Sequence, residues 1–193
     1  MLLPLPKNAR SALIVVDMQV FFFQKPDRRQ GLEQVVENIN RLIDCFDARS
    51  FPVFHVTSGY KADQSDWDLK MKSAGVPELI EGTPETAILP QINVSRHHTK
   101  VVKTRYSAFF NTPLAELLKA QKIRRVVVAG GYTHYCVNAT IFDAYGYDFV
   151  PCLITDAVIS HLKDEAELMI DRMRRNGYHV FSTADMIAEI EHS

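Results

Sequence analysis

Three residues far apart in the chain have the types that nucleophilic hydrolysis needs. Asp17 closes the apolar run "SALIVVD", Lys103 closes "KVVK", and Cys136 follows "VVVAGGYTHY". A carboxylate accepts a proton, an ammonium steadies negative charge, and a thiol attacks a carbonyl carbon. Each alone is a weak signal. An Asp at a strand end often only caps a turn, a single Lys is usually solvated, and free Cys is among the most buried residue types. What joins them is position: each follows a strand-like run, and open parallel α/β sheets bind ligands at the carboxyl ends of their strands.

The setting of Cys136 strengthens its case. Gly130 and Gly131 permit backbone angles or a close approach that a side chain would block. "CVNATIFDAYGY" reads as a helix, and a helix start offers orphan N–H groups and partial positive charge, which lower a thiol's pKa and hold an oxyanion. Thr133 and His134 fall where donors would face such a site. Cys45, on the apolar face of a helix, and Cys152, inside a strand, read as structural.

The elements that must carry these residues alternate along the chain. "SALIVVDM", "FPVFHVTS", "KVVKT", "RRVVVAG", "DFVPCLIT" and "YHVFST" read as strands. A helix over residues 32–49 shows one apolar face through Val35, Val36, Ile39, Leu42, Ile43 and Phe46. "NTPLAELLKAQ" reads as a helix with Thr112 as N-cap and Pro113 in first position. "KDEAELMIDRMRRNG" runs from acidic to basic and stops at Gly177, as the helix dipole favours. Nearly all-apolar strands alternating with helices call for a parallel sheet covered on both faces. Residues 58–94 break the pattern; this excursion, with Trp67, reads as a lid, a binding loop or a subunit contact.

The 193 residues suit one domain, taken as 1–193, with 47% hydrophobic and 23% charged residues. No apolar run approaches a membrane span, and "MLLPLPKNAR" shows no secretory leader. A net charge of −1 leaves no electrostatic footprint for nucleic acid. Three cysteines without CxxC spacing suit a reducing cytoplasm.

Three blocks, "LIVVDMQVFFF", "VVKTRYSAFFNTPLAELL" and "VVVAGGYTHYCVNATIFDAYGYDFVPCLITDAV", resemble in order and spacing the signatures of the isochorismatase-like cysteine hydrolases, over about residues 11–187. The resemblance implies a three-layer αβα sandwich around a doubly wound, Rossmann-like, six-stranded parallel sheet. It implies a catalytic triad of Asp17, Lys103 and Cys136, an oxyanion hole from the backbone N–H groups of Tyr132 and Cys136, and a cis peptide at Gly131–Tyr132. It also implies a small-molecule substrate, no cofactor, and self-association as a dimer or tetramer.

Departures from the family pattern narrow the chemistry. Nicotinamidases carry an Asp-x-His metal motif, whereas "FHVTSGYKADQSDWDLK" has His55 without it. His97 and His98 read as a surface turn, so no metal is expected. Tyr132 and His134 resemble the isochorismatase version of the third block, but true isochorismatases have glycine in the place of Cys136. The thiol therefore favours hydrolysis of a small amide, carbamoyl or ureido C–N bond through a thioester. The alternatives are vinyl-ether hydrolysis with Asp17 as general acid, and a non-catalytic or redox-sensing member of the fold. Phe22, Trp67, Tyr132 and His134 are the candidate substrate-binding residues, each equally open to a reading as core, lid or cap. Phe21 stands where the family usually has a polar residue, and Gln19 reads as a brace for the turn after Asp17.

Overall fold

The computed structural model describes residues 9–192. Residues 1–8, where no leader is read, and residue 193 lie outside the described part of the proposed domain. Six strands form one sheet: β1 (Ser11–Val16), β2 (Val53–Ser58), β3 (Thr99–Lys103), β4 (Arg125–Gly131), β5 (Val150–Ile159) and β6 (His179–Phe181). All neighbours pair in parallel, in the order β3-β2-β1-β4-β5-β6. Strand order reverses between β1 and β4, so the crevice at their carboxyl ends is the topological switch point.

Helices cover both faces. They are α1 (Leu32–Ala48), α2 (Leu69–Ala74), α3 (Leu114–Ala120), α4 (Asn138–Gly146), α5 (Lys163–Arg175) and α6 (Thr183–Glu191). Side chains alternate along each strand, so β1 sends Leu13 and Val15 into a core shared with α1 and α6. Ala12, Ile14 and Val16 face the core under α3, α4 and α5. Burial on both faces explains why the strands read as unbroken apolar runs.

Three boundaries differ from the sequence reading. α3 starts one residue later than expected, at Leu114, with Pro113 before it; the Thr112 hydroxyl still accepts from the Leu114 N–H at 3.3 Å. The region before α4 is a single π-turn, Thr133–Val137, so Cys136 precedes the α-helix proper. The 58–94 excursion is not a bare loop. It holds α2 and a small core of Tyr60, Trp67, Met71 and Leu79, and Gln19 and Ile88 form a bridge that ties it to the turn after β1.

Candidate active site

Four strand ends meet at the carboxyl edge. After β1 the chain turns at Asp17, with φ of 50°, and the Asp17 N–H donates to the Val56 carbonyl at 2.8 Å. Lys103 is the last residue of β3. Both side chains are only 1% exposed, and Lys103 Nζ lies 2.8 Å from Asp17 Oδ2. The same ammonium donates to Ser58 Oγ at 2.9 Å, to the Arg105 carbonyl at 3.1 Å and to Cys136 Sγ at 3.4 Å. The three residues singled out from the sequence therefore converge.

Ser58 was not singled out, yet it completes the cluster. Its hydroxyl takes a hydrogen bond from Lys103 and donates to Asp17 Oδ1 at 2.9 Å. The available signal was positional: Ser58 ends β2 as Asp17 and Lys103 follow or end their strands. Gln19 is buried and does brace this edge. Its Oε1 accepts from the Ser58 N–H at 2.7 Å, while Nε2 donates to the Ser58 and Thr86 carbonyls at 2.9 Å each.

Burial works against charge on Lys103, but the Asp17 carboxylate and the Cys136 sulfur outweigh it and hold the ammonium above its ordinary pKa. Cys136 goes opposite to the sequence expectation. Burial first, then the Asp17 charge, push its thiol up, and the pull of Lys103 does not compensate. A helix start lowers a thiol's pKa only when water and neighbouring charges leave it room to do so. Here the sulfur is dry, beside a carboxylate, and in the π-turn ahead of α4. Burial and the carboxylate both favour the protonated sulfur.

Gly130 lets the two central strands close up. Its φ is +109°, and a Cβ there would lie 2.1 Å from the Val16 carbonyl oxygen. No other residue fits that contact. The Gly131–Tyr132 peptide is cis, and the Tyr132 N–H has no acceptor among the described residues.

Aromatic rings wall the turn. Tyr132 lies edge-on to Phe22 at 5.6 Å and to His161 at 4.7 Å, and its hydroxyl donates to the Phe22 carbonyl. His134 lies nearly parallel to Tyr132, 6.2 Å away, and its Nδ1 is 2.8 Å from Ser160 Oγ. Burial lowers the His134 pKa, with His161 adding to the effect and Glu165 opposing it. Ser160 and His161 escaped the sequence reading, although they directly follow β5. Thr133 does not face the site as a donor: it is buried and donates to the Ile159 carbonyl at 3.0 Å. Trp67 sits in the small core of the excursion with its indole N–H on the Lys61 carbonyl, and Phe22 packs between that core and Tyr132.

Among the described residues, Asp47, His97 and His98 have ligand-type atoms within 4.8 Å of one another. They lie at the amino edge of the sheet, opposite Cys136. The Ser95 N–H points at His98 Nδ1 (3.1 Å), and His55 Nε2 lies 3.0 Å from that same nitrogen. Nδ1 is thus an acceptor, and Nε2 carries the proton that His98 gives to Asp47 at 3.0 Å. A cation binding at this nitrogen would have to displace that proton. The surface-turn reading holds for His97 but not for His98, which is buried.

A doubly wound α/β sheet with an acid, a lysine and a thiol gathered at its switch point defines the structural class. A family model described as the Isochorismatase domain matches residues 11–185, and the chain belongs to this hydrolytic family. It is 26% identical over 179 residues to enterobactin synthase component B of Escherichia coli K12, covering 92% of this chain and 62% of that protein. The chain thus spans less than two thirds of that relative. Ureidoacrylate amidohydrolase RutB of Agrobacterium fabrum is 26% identical over 181 residues, with 78% and 76% covered. An isochorismatase family protein from Desulfovibrio vulgaris superposes with a TM-score of 0.85 at 28% identity, covering 94% of this chain and all of that one.

Proposed function

We propose that this protein hydrolyses a C–N bond of a small amide, carbamoyl or ureido compound through a thioester on Cys136. The observation that carries the reading is the placement of Lys103 Nζ, 2.8 Å from Asp17 and 3.4 Å from the Cys136 sulfur. As Sγ bonds to the substrate carbonyl carbon, its proton passes to Asp17. The raised thiol pKa makes this transfer concerted with attack, because no standing thiolate precedes it. With Asp17 protonated and the sulfur bonded to carbon, the negative charge sits on the oxyanion, and the Lys103 ammonium balances it across the site. The oxyanion takes the Tyr132 and Cys136 amides, the C–N bond breaks, and Asp17 returns the proton to the departing nitrogen. Water then attacks the thioester, giving the acid and the free thiol. Phe22, Tyr132 and His134 line the side of the site against which the substrate lies.

The similarity to the ureidoacrylate amidohydrolase supports C–N hydrolysis; the similarity to a probable isochorismatase of Pseudomonas chlororaphis, 25% identical over 179 residues, supports a second reading. In that reading Asp17 acts as a general acid on an ether and Cys136 is a bystander. Ammonia release from a panel of small amides and ureido acids is expected from the protein and not from Cys136→Ala with unchanged circular dichroism. Turnover that survives in Cys136→Ala sinks the covalent scheme, and ether cleavage unaffected by iodoacetamide establishes the second reading. A homo-oligomer is the assembly carried over from the family resemblance, a cytoplasmic setting is the expectation from the cysteine pattern, and light scattering tests the oligomer's size.

A further inference from the structure

Behind the nucleophile turn, away from Asp17 and Lys103, the turn and α4 face α5 across a cavity of about 230 Å³. That volume equals roughly seven or eight waters, the scale of a leucine-sized molecule. His134 and Asn138 stand one helical turn apart on one wall, and Glu165 and Arg172 stand two turns apart on the other. Phe142, Leu168 and Met169 supply the apolar lining.

The polar equipment of this cavity is incomplete. His134 Nε2 and Asn138 Oδ1 are buried and have no hydrogen-bond partner among the described residues, whereas buried polar atoms are normally paired. Glu165 and Arg172 take part in none of the ion pairs formed among the described residues. The cavity therefore offers a buried unpaired amide oxygen and imidazole nitrogen, with a solvent-exposed cation and anion outside the ion pairs of the described residues, around an apolar surface.

We propose that this cavity binds an α-amino acid with an apolar side chain, and that the nucleophile turn senses its occupancy. The guanidinium of Arg172 takes the carboxylate, as its fork geometry favours. Glu165 and Asn138 Oδ1 take the ammonium, and the side chain lies on Phe142, Leu168 and Met169. His134 Nε2 gains a partner in the bound polar group. His134 is also two residues from Cys136 and lies parallel to the Tyr132 ring, so fixing its ring constrains the turn that presents the thiol.

L-leucine and L-methionine are the probes, titrated calorimetrically into the intact protein; the readout needs no turnover and stands apart from the proposed reaction. Saturable binding is expected, weakened about tenfold by Arg172→Gln and by Glu165→Gln, each the loss of one charged contact. 4-Methylvalerate and isoamylamine, which lack the ammonium and the carboxylate respectively, should bind about tenfold more weakly than leucine. Protein alkylated at Cys136 should bind leucine as well as the free enzyme. Absence of saturable binding at millimolar leucine overturns the site, as does binding that ignores both substitutions or disappears on alkylation. Saturating leucine should alter the rate of Cys136 alkylation in the native protein and not in Arg172→Gln; an unaltered native rate overturns the coupling.

Discussion

At the carboxyl edge of the sheet, Asp17, Ser58, Lys103 and Cys136 crowd together out of contact with bulk water. At the amino edge, Asp47, His55, His97 and His98 form a chain of hydrogen bonds that runs from a buried ring to an exposed one. The first cluster contains a full ion pair, 2.8 Å long, with both partners buried. Burying two charges is expensive and is seldom the best route to stability, so the placement of this pair points to chemistry. The second cluster holds the buried His55 ring uncharged and sets two imidazoles on one carboxylate. It joins the end of α1, the middle of β2 and the approach to β3, which is structural work. Residue types alone do not separate the two, since both are sets of acids, bases and ligand-like atoms. Connectivity does: one set is wired to a thiol at a switch point, and the other is wired to itself, to Ser95 and to the backbone.

Removing one charge from the carboxyl edge should have the largest effect. Lys103→Met leaves Asp17 charged and unpaired in a dry site, and should cost about 3–5 kcal/mol in urea unfolding. Asp17→Asn in the same chain should restore much of that loss. Equal instability of the single and double variants would break the claim that the bare carboxylate is the cause.

The amino edge should respond to acid instead. Burial first, then the nearby charge of His98, lower the His55 pKa to about 4. In the unfolded chain the group titrates near its ordinary value of about 6.5. Between those values the unfolded chain binds the proton and the folded one does not. Stability is therefore whole above pH ~6.5 and falls as pH drops toward ~4, by about 3 kcal/mol at most. His55→Gln keeps a donor for His98 and should flatten this slope; a slope unchanged in the variant assigns the acid sensitivity to other groups.

A smaller effect separates the thiol from its base. Because the Asp17 charge helps to raise the Cys136 pKa, Asp17→Asn should speed iodoacetamide alkylation at pH 8 by about tenfold, even as turnover is lost. Slower alkylation would mean that Asp17 activates the thiol at rest. The smallest effect belongs to His97, whose side chain is 60% exposed. His97→Ala should change stability by no more than about 1 kcal/mol. A larger loss would give the exposed end of the chain a weight that the comparison denies it.

Local pattern carried the strands and the three reactive residues. Each strand is a short apolar run because both faces of a parallel sheet are covered, and a polar residue breaking such a run is conspicuous in the chain itself. Asp17 and Lys103 stood out for that reason, and Cys136 for its place after two glycines at the start of a helix. Ser58 did not, because serine ends many strands with no further role, and only its two hydrogen bonds distinguish it. Thr133 looked like a donor to the site and proved to be tied to the Ile159 carbonyl, since the facing of a residue in a π-turn does not follow from α-helical spacing. His98 looked superficial because its neighbour is.

The sequence by itself determined the alternation of strand and helix, the identity of the acid, the lysine and the thiol, and the pair of glycines placed before the turn. These rest on periodicity and side-chain chemistry, which are properties of neighbouring residues. Only the tertiary structure decided that β1 and β4 lie side by side, that Ser58 bridges Lys103 and Asp17, and that the thiol's pKa is raised. Strand order and local dielectric depend on which distant segments pack together. A proton on sulfur feels the whole site, not the residues on either side of it.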